Sequence, residues 1–396
     1  MVRLGDLFDF KNGRSFKKTE WKESGLPIIR IQNLNKEAAP FNYYQDEYDN
    51  AIEVNYGDLL FSWSGTVGSS FGPHIWRREK ALLNQHIFKL TFKTEMLVDY
   101  AYYSLLFITA EIEKNVVGAV GLVHVTKKSL NEYEIPALPI PEQQRIVAIL
   151  DQAFADIEKA RANAEKNLKN ARELFDSYLQ QVFSQRGEGW VENSLENVVE
   201  ENCSLSYGVV QPGDDFINGL PVVRPTDLKS KIIYVEGLKL IDPLLAKGYE
   251  RTTLEGGELL LCVRGSTGVV SIADAELAGA NVTRGIVPIR FDQSVMLQAF
   301  GYYQFISHDI QRQIKSHTYG AALMQINIRD LRKLTVVLPP LQFQSEAINQ
   351  LDDATRKMRR LEFVYQAKLK SLDELKKSLL QKAFSGELTK SKGIAA

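Results

Sequence analysis

LPIPEQQRIVAIL (138–150) and PPLQFQSEAINQL (339–351) carry nearly the same message, 201 residues apart. Each sets prolines ahead of a run with a helical period. Proline is tolerated there because first-turn N–H groups have no acceptor inside the helix. LFDSYLQQVFSQ (174–185) lies over LKKSLLQKAFSG (375–386) at the same offset, so the two segments align without a gap. In the first, apolar or alanine positions fall at Ile146, Leu150, Ala153, Ile157, Ala160, Ala164, Leu168, Ala171, Phe175, Tyr178 and Val182. These steps of four and three form a heptad seam with one stutter at Ala164. The second run, Ala347 to Ala383, repeats the steps and the stutter, with Lys376 as its one exception. Two unrelated surface helices would rarely share an interruption. The shared seam predicts partners in an antiparallel coiled coil, each about 43 residues and ~64 Å long at ~1.5 Å per residue. Gly187/Gly189 and Gly386 are the expected stops.

The stretches between these helices repeat less strictly. GLPIIR (25–30) corresponds to GLPVVR (219–224), and GDLLFSWSGTVG (57–68) to GELLLCVRGSTG (257–268). AYYSLLF (101–107) matches GYYQFIS (301–307), and VTKKSL (125–130) matches INIRDL (326–331). Short β-branched runs such as PIIRI, DLLFSW, IFKLTF and IVPIRF, bounded by Gly, Pro and Asn, read as strands. One helix per half is expected, around 96–115 and 294–315. The expected fold class is therefore two pseudo-repeated α/β (α+β) domains, 1–137 and 189–337, separated by two long helices that form an antiparallel coiled coil. The helices fall within 138–188 and 338–396, the latter including a C-terminal tail.

A chain of 396 residues, 44% hydrophobic and 24% charged, has the length of two or more domains and the composition of a globular protein. No run approaches the ~18 apolar residues of a bilayer span. The opening MVRLGDLFDFKNG has charges where a signal peptide carries its apolar stretch, so a cytoplasmic location is expected. Cys203 and Cys262 fit no zinc or redox spacing and read as two reduced thiols. The five histidines form no ligand pair. Net charge is −1, but residues 338–396 carry 11 basic against 7 acidic side chains. Binding to phosphates must therefore come from local patches.

The order of the elements, the LPIPEQQRIVAILD helix entrance (138–151), the LQQVFS…GE exit and the GDLLFSWSGTVG framework resemble the specificity subunit of type I restriction–modification systems. The resemblance covers essentially the whole chain, the helix motifs being its most specific part. It implies a non-catalytic subunit that reads two half-sites of double-stranded DNA and docks two adenine-N6 methyltransferase subunits. S-adenosylmethionine would belong to those partners, and ATP and Mg to a pair of motor-nuclease subunits where these join. Ile149 and Leu380, as exposed apolar helix positions, are candidates for docking. The second helix departs from the family pattern, with LQFQSEAI (341–348) where a Glu-Gln pair like Glu142-Gln143 is usual.

The residues themselves point to a binder. No Gly-rich cofactor loop, Asn/Asp-Pro-Pro-aromatic tetrad or GxxxxGK[ST] phosphate loop occurs, and DLK (227–229) lacks a clearly paired strand-borne acid. KNGRSFKK (11–18) gathers Lys11, Arg14, Lys17 and Lys18 around a turn glycine, suited to phosphate contact or entry into a groove. Ser62, Trp63 and Ser64 precede a tight turn, with Arg264, Ser266 and Thr267 in its counterpart. Arg pairs bidentately with guanine, and Ser or Thr contacts base edges or phosphate. Arg77, Arg78, Tyr207 and Gln211 complete the candidates, Gln211 as an adenine reader. Solvated loops and purely structural turns are the competing reading for each. Two other functions fit the repeat: a twin-domain protein-binding scaffold, and a self-contained DNA-modifying enzyme, which the absent cofactor motifs oppose.

Overall fold

The computed structural model describes residues 1–36, 38–66, 69–115, 123–185, 187–320 and 324–388. Val67 and Gly68 of the first GTVG turn and residues 389–396 of the expected tail lie outside the described residues. Two compact units result: Met1–Glu165 with Gln366–Ala396, and Lys166–Tyr365. Each combines one α/β domain with half of each long helix.

The long helices run Ile140–Ser184 and Leu341–Phe384. Pro139 and Pro340 precede or open their first turns, and their carbonyls accept the amides of Gln143 and Gln344. The second helix ends at a left-handed Gly386 (φ +78°), where the amides of Glu387 and Leu388 close on Lys382 O. Within the first unit, early residues of one helix meet late residues of the other. Ile146, Leu150, Phe154 and Ile157 share a core with Leu380, Ala383 and Phe384. Arg161 pairs with Asp373, and Lys376 Nζ lies 3.2 Å from Glu158. Within the second unit, Arg172 pairs with Glu362 at 2.6 Å, and Leu179, Val182 and Phe183 share a core with Ala347 and Leu351. The helices are antiparallel partners.

Two side chains depart from the expected seam, each for a local reason. Lys376 lays its stem over the Phe154 ring (4.9 Å) and carries its charge out to Glu158. Leu361 is 40% exposed, because Ala171 and Ala354 are too small to close the groove beside it. Leu380 corrects an expectation outright. It is only 5% exposed and belongs to the core under the first domain, so it is no docking surface. Ile149 is half-buried.

The two domains repeat one sheet plan. In the first, Phe8–Asn12, Ile87–Phe92, Leu59–Ser62 and Gly72–Ile75 form an antiparallel sheet in that order. In the second, Ile286–Ile289, Leu259–Cys262 and Val270–Ala273 keep the order, with Leu259 opposite Ile272 as Leu59 is opposite Ile75. A second sheet pairs Leu26–Ile29 parallel to Ala81–Leu83, as Leu220–Val223 is parallel to Asn281–Val282. Among the described residues, Ile232–Ile233 has no counterpart strand in the first domain, as Phe8–Asn12 and Glu53–Val54 have none in the second. Ile232–Ile233 adds, parallel, to the outer edge of Val270–Ala273, whereas Gly72–Ile75 is an edge strand. The expected helix at 294–315 is two helices, Gln298–Ile306 and His308–Ser316. Extended Ser307 breaks it, its hydroxyl donating to Gln304 O, while Gln311 Nε2 satisfies the freed Phe305 carbonyl.

Buried polar side chains seat each domain on its helix. Gln143 Oε1 accepts the Leu97 amide and its Nε2 donates to Leu138 O. Gln344 repeats this with the Leu297 amide, Val295 O and Pro339 O. The departure at the second helix entrance thus replaces Glu142 by Phe343 but keeps the glutamine. Tyr103 and Tyr303 likewise donate to Asp151 and Asp352, each at 2.5 Å.

Candidate nucleic-acid interface

The Lys11–Lys18 loop turns at Gly13, where a Cβ would stand 2.2 Å from Asn84 O and 2.4 Å from Leu83 O. Only glycine lets the chain press there, and the Arg14 amide donates to Leu83 O at 2.9 Å. Gly208 does the same in the second domain. A Cβ would lie 1.9 Å from Val282 O, and the Val209 amide donates to that oxygen at 2.8 Å. The Lys11–Lys18 and Tyr207–Gln211 loops, noted separately in the sequence, are therefore one position of the repeat seen twice.

Lys11, Lys17 and Lys18 are exposed, and none of the ion pairs among the described residues involves them. Arg14 is used internally. It donates to Tyr44 Oη (2.7 Å), pairs with Glu20 and lies over the Phe16 and Tyr44 rings, contacts that hold its pKa above the ordinary value, Tyr44 first. Its guanidinium stiffens the loop that carries the lysines.

The second turn needs a correction. Ser62 is fully buried, and its hydroxyl donates to Ser64 O at 3.0 Å. Cys262 makes the same closure, Sγ to Arg264 O at 3.2 Å, with burial pushing its thiol up. This position shapes the turn and offers nothing to a ligand. Ser64 is nearly buried, 3.2 Å from His124 Nδ1. Trp63 donates Nε1–H to Asn12 Oδ1 and stands edge-on to His86 and His124. Asn12, Trp63, Ser64, His86 and His124 thus form one cluster beside Lys11. Three of them escaped the sequence reading, because no spacing joins residues 12, 86 and 124.

In the second domain Arg264 is half-buried, Ser266 exposed, and Thr267 Oγ1 donates to Met324 O at 3.1 Å. Tyr207 is 41% exposed, its hydroxyl donating to Ile326 O, and Gln211 is exposed. Burial raises the Tyr207 pKa, with nearby Arg264 and Arg284 opposing the rise. Arg284 is exposed, and its amide donates to Val209 O. It too becomes a candidate only through the fold. Arg77 and Arg78 belong elsewhere: Arg77 faces Asp99 at 3.6 Å, and Arg78 lies over the Phe41 and Trp76 rings.

Exposed cations, amides, hydroxyls and aromatic edges on matched turns can contact phosphates and base edges. Among the described residues no group of three His, Cys, Asp or Glu could hold a metal, and no helix is long and apolar enough to cross a membrane. Such an arrangement defines a recognition protein built from two copies of one domain. The chain belongs to the family of the type I restriction modification DNA specificity domain, which matches residues 1–166 and 209–367. It is 24% identical to the type I restriction enzyme EcoBI specificity subunit of Escherichia coli, over 98% of this chain and 86% of that one. Identity to the MjaVIII specificity subunit of Methanocaldococcus jannaschii is 22%, over 79% and 72%. Among solved structures, a chain from work on assembly and conformational transition of the type I R-M system superposes with a TM-score of 0.74, at 18% identity and 98% and 97% coverage. The HsdS subunit of Thermoanaerobacter tengcongensis gives 0.54 at 18% identity, with 98% and 96% coverage. The protein is a type I specificity subunit, a non-catalytic component that recognises a DNA target.

Proposed function

We propose that each unit reads one half of a split duplex target, and that the helices carry adenine-N6 methyltransferase subunits to it. The observation that carries this is the repeated turn: Gly13 and Gly208 press equivalent loops onto equivalent strand ends. A domain duplicated down to its reading loops presents the same kind of surface twice. In the first domain the reading group is Lys11, Lys17, Lys18 and Trp63, with Arg14 as the brace and Ser64 buried against His124 behind them. In the second it is Tyr207, Gln211, Arg264, Ser266 and Thr267, joined by Arg284. Arg77, facing Asp99, and Arg78, over the Phe41 and Trp76 rings, stay outside the reading group. S-adenosylmethionine is held by the methyltransferase partners, and ATP and Mg by motor-nuclease subunits where those join.

Docking uses exposed apolar helix positions such as Leu174, Phe363 and Leu375, with half-buried Ile149 at their margin. The test is sequencing of methylated sites in cells that carry this subunit with its methyltransferase. Arg264→Ala should relax one half-site only, weakening discrimination there by about 1–3 kcal/mol. Loss of both half-sites together, or binding without salt dependence, would contradict the reading.

A further inference from the structure

Arg30 and Arg224 follow the matched strands Leu26–Ile29 and Leu220–Val223, and the repeat treats the two guanidinium groups differently. Each residue's amide donates to the side chain three positions on, Asn33 Oδ1 at 3.0 Å and Asp227 Oδ2 at 2.8 Å. In the second domain that carboxylate also takes the guanidinium, Nε at 3.1 Å and Nη2 at 2.9 Å. Asn33 offers no such charge, and its Nδ2 donates to the carbonyls of Ala39 and Pro40, each at 3.2 Å. Arg30 therefore donates to neutral Asn42 Oδ1 at 3.1 Å and lies 5.3 Å over the Trp21 ring. It joins no ion pair among the described residues.

Arg30 lines a cavity of about 450 Å³ together with Lys18, Trp21, Gln32, Gln85 and His86, and no acidic side chain among the described residues lines it. Lys18 belongs to the reading loop and His86 stands edge-on to Trp63, so the cavity adjoins the first reading group. Trp21 Nε1–H is buried with no acceptor among the described residues. A half-buried guanidinium with only neutral partners favours an anion, and its planar fork can give paired bonds to two phosphate oxygens. The second domain carries its unpaired guanidinium on the neighbouring strand end. The Asn84 amide donates to Ile29 O as the Thr283 amide donates to Val223 O, which sets Arg284 where Gln85 stands. Arg284 is exposed and joins no ion pair among the described residues.

We propose that this cavity takes a backbone phosphodiester of the target duplex, and that Arg30 is the group that clamps it. The clamp rests on the reading that the first domain binds one half-site. Phosphate contacts fix register and orientation without carrying sequence, so Arg30 is a positioning residue for the loop beside it. Lys18 adds charge at the rim, and Trp21 supports the guanidinium plane. Asp227 withdraws the equivalent arginine in the second domain, and Arg284 supplies the charge there from the next strand.

The test is a salt series of binding by the subunit assembled with its methyltransferase, on the duplex that its methylome defines. Arg30→Ala should reduce the slope of log K against log salt by about 0.9, the share of one phosphate. It should weaken target and unrelated duplexes alike, roughly tenfold, and leave the methylated sequence unchanged. Arg30→Lys keeps the charge and should keep the slope. Arg224→Ala, which removes a guanidinium already held by Asp227, should keep it too. A methylphosphonate removes one backbone charge. At one position it should cost the unaltered complex about the same factor and cost the Arg30→Ala complex nothing. An undiminished slope in Arg30→Ala, an equal fall in Arg224→Ala, or altered bases in the first half-site would overturn the clamp. Salt-independent binding by the unaltered complex would instead remove the reading on which the clamp rests.

Discussion

Gln143 and Gln344 each stand buried in the first turn of a long helix, one amide group satisfying a domain amide and a carbonyl of the entrance. A leucine fills similar space but strands both partners in a dry site, at a cost of about 1–3 kcal/mol. Gln143→Leu should therefore lower the unfolding free energy of the first unit by that order, read by chemical denaturation, with Gln344→Leu acting on the second. His74 gives a pH signature. Its pKa falls from 6.5 to about 4 on folding, so between these values the unfolded chain binds more protons. Stability is complete above pH 6.5 and declines as pH drops toward 4, by at most ~3 kcal/mol from this group. His74→Gln should flatten that part of a stability–pH curve; an unchanged slope would assign it to other groups.

At the scale of the element, the long helices carry two kinds of apolar residue that a heptad pattern does not separate. Leu380 lies inside the core under the first domain, and Leu174 is 70% exposed. Leu380→Ala should cost about 2–5 kcal/mol of stability through a cavity. Leu174→Asp and Phe363→Asp should leave the melting curve within ~0.5 kcal/mol while weakening assembly with the methyltransferase on gel filtration. Unchanged assembly would move docking off these positions. The edge strand Gly72–Ile75 makes the complementary point: the second domain covers the equivalent edge with Ile232–Ile233 and sets Lys231 on Asp352, and among the described residues the first domain does neither.

For the whole molecule, the division into units yields tests of independence and of spacing. Exchanging residues 190–337 for those of a relative should change one half-site and preserve the other in the methylome. Altered bases in both would mean that the domains do not read separately. Spacing is addressed through the helices. Arg161 faces Asp373 and Arg172 faces Glu362, so a heptad inserted after Lys166 and another after Ala367 leaves these pairs intact. The insertion adds ~10 Å to each helix at ~1.5 Å per residue, close to three base-pair steps at ~3.4 Å. Three steps also turn the groove by roughly 100°. Activity at the native spacer should disappear while the half-site bases stay the same.

The repeat at offset 201, the seam with its stutter, and the pairing of the two domains are properties of the sequence alone. Helical period and heptad spacing are local rules that repeat along the chain, and a duplicated interruption needs no fold to be seen. The equivalence of Asp151 with Asp352 and of Gln143 with Gln344 was also within that register. What Leu380 faces was not, because exposure along a seam depends on which domain closes over it. Nor was the role of Ser62, whose hydroxyl is spent on Ser64 O inside the turn. The cluster of Asn12, His86 and His124 about Trp63, and of Arg284 with Arg264 about Tyr207, exists only where separate strands end side by side. Such contacts join residues far apart in the chain, and their geometry is decided by strand register and tertiary packing.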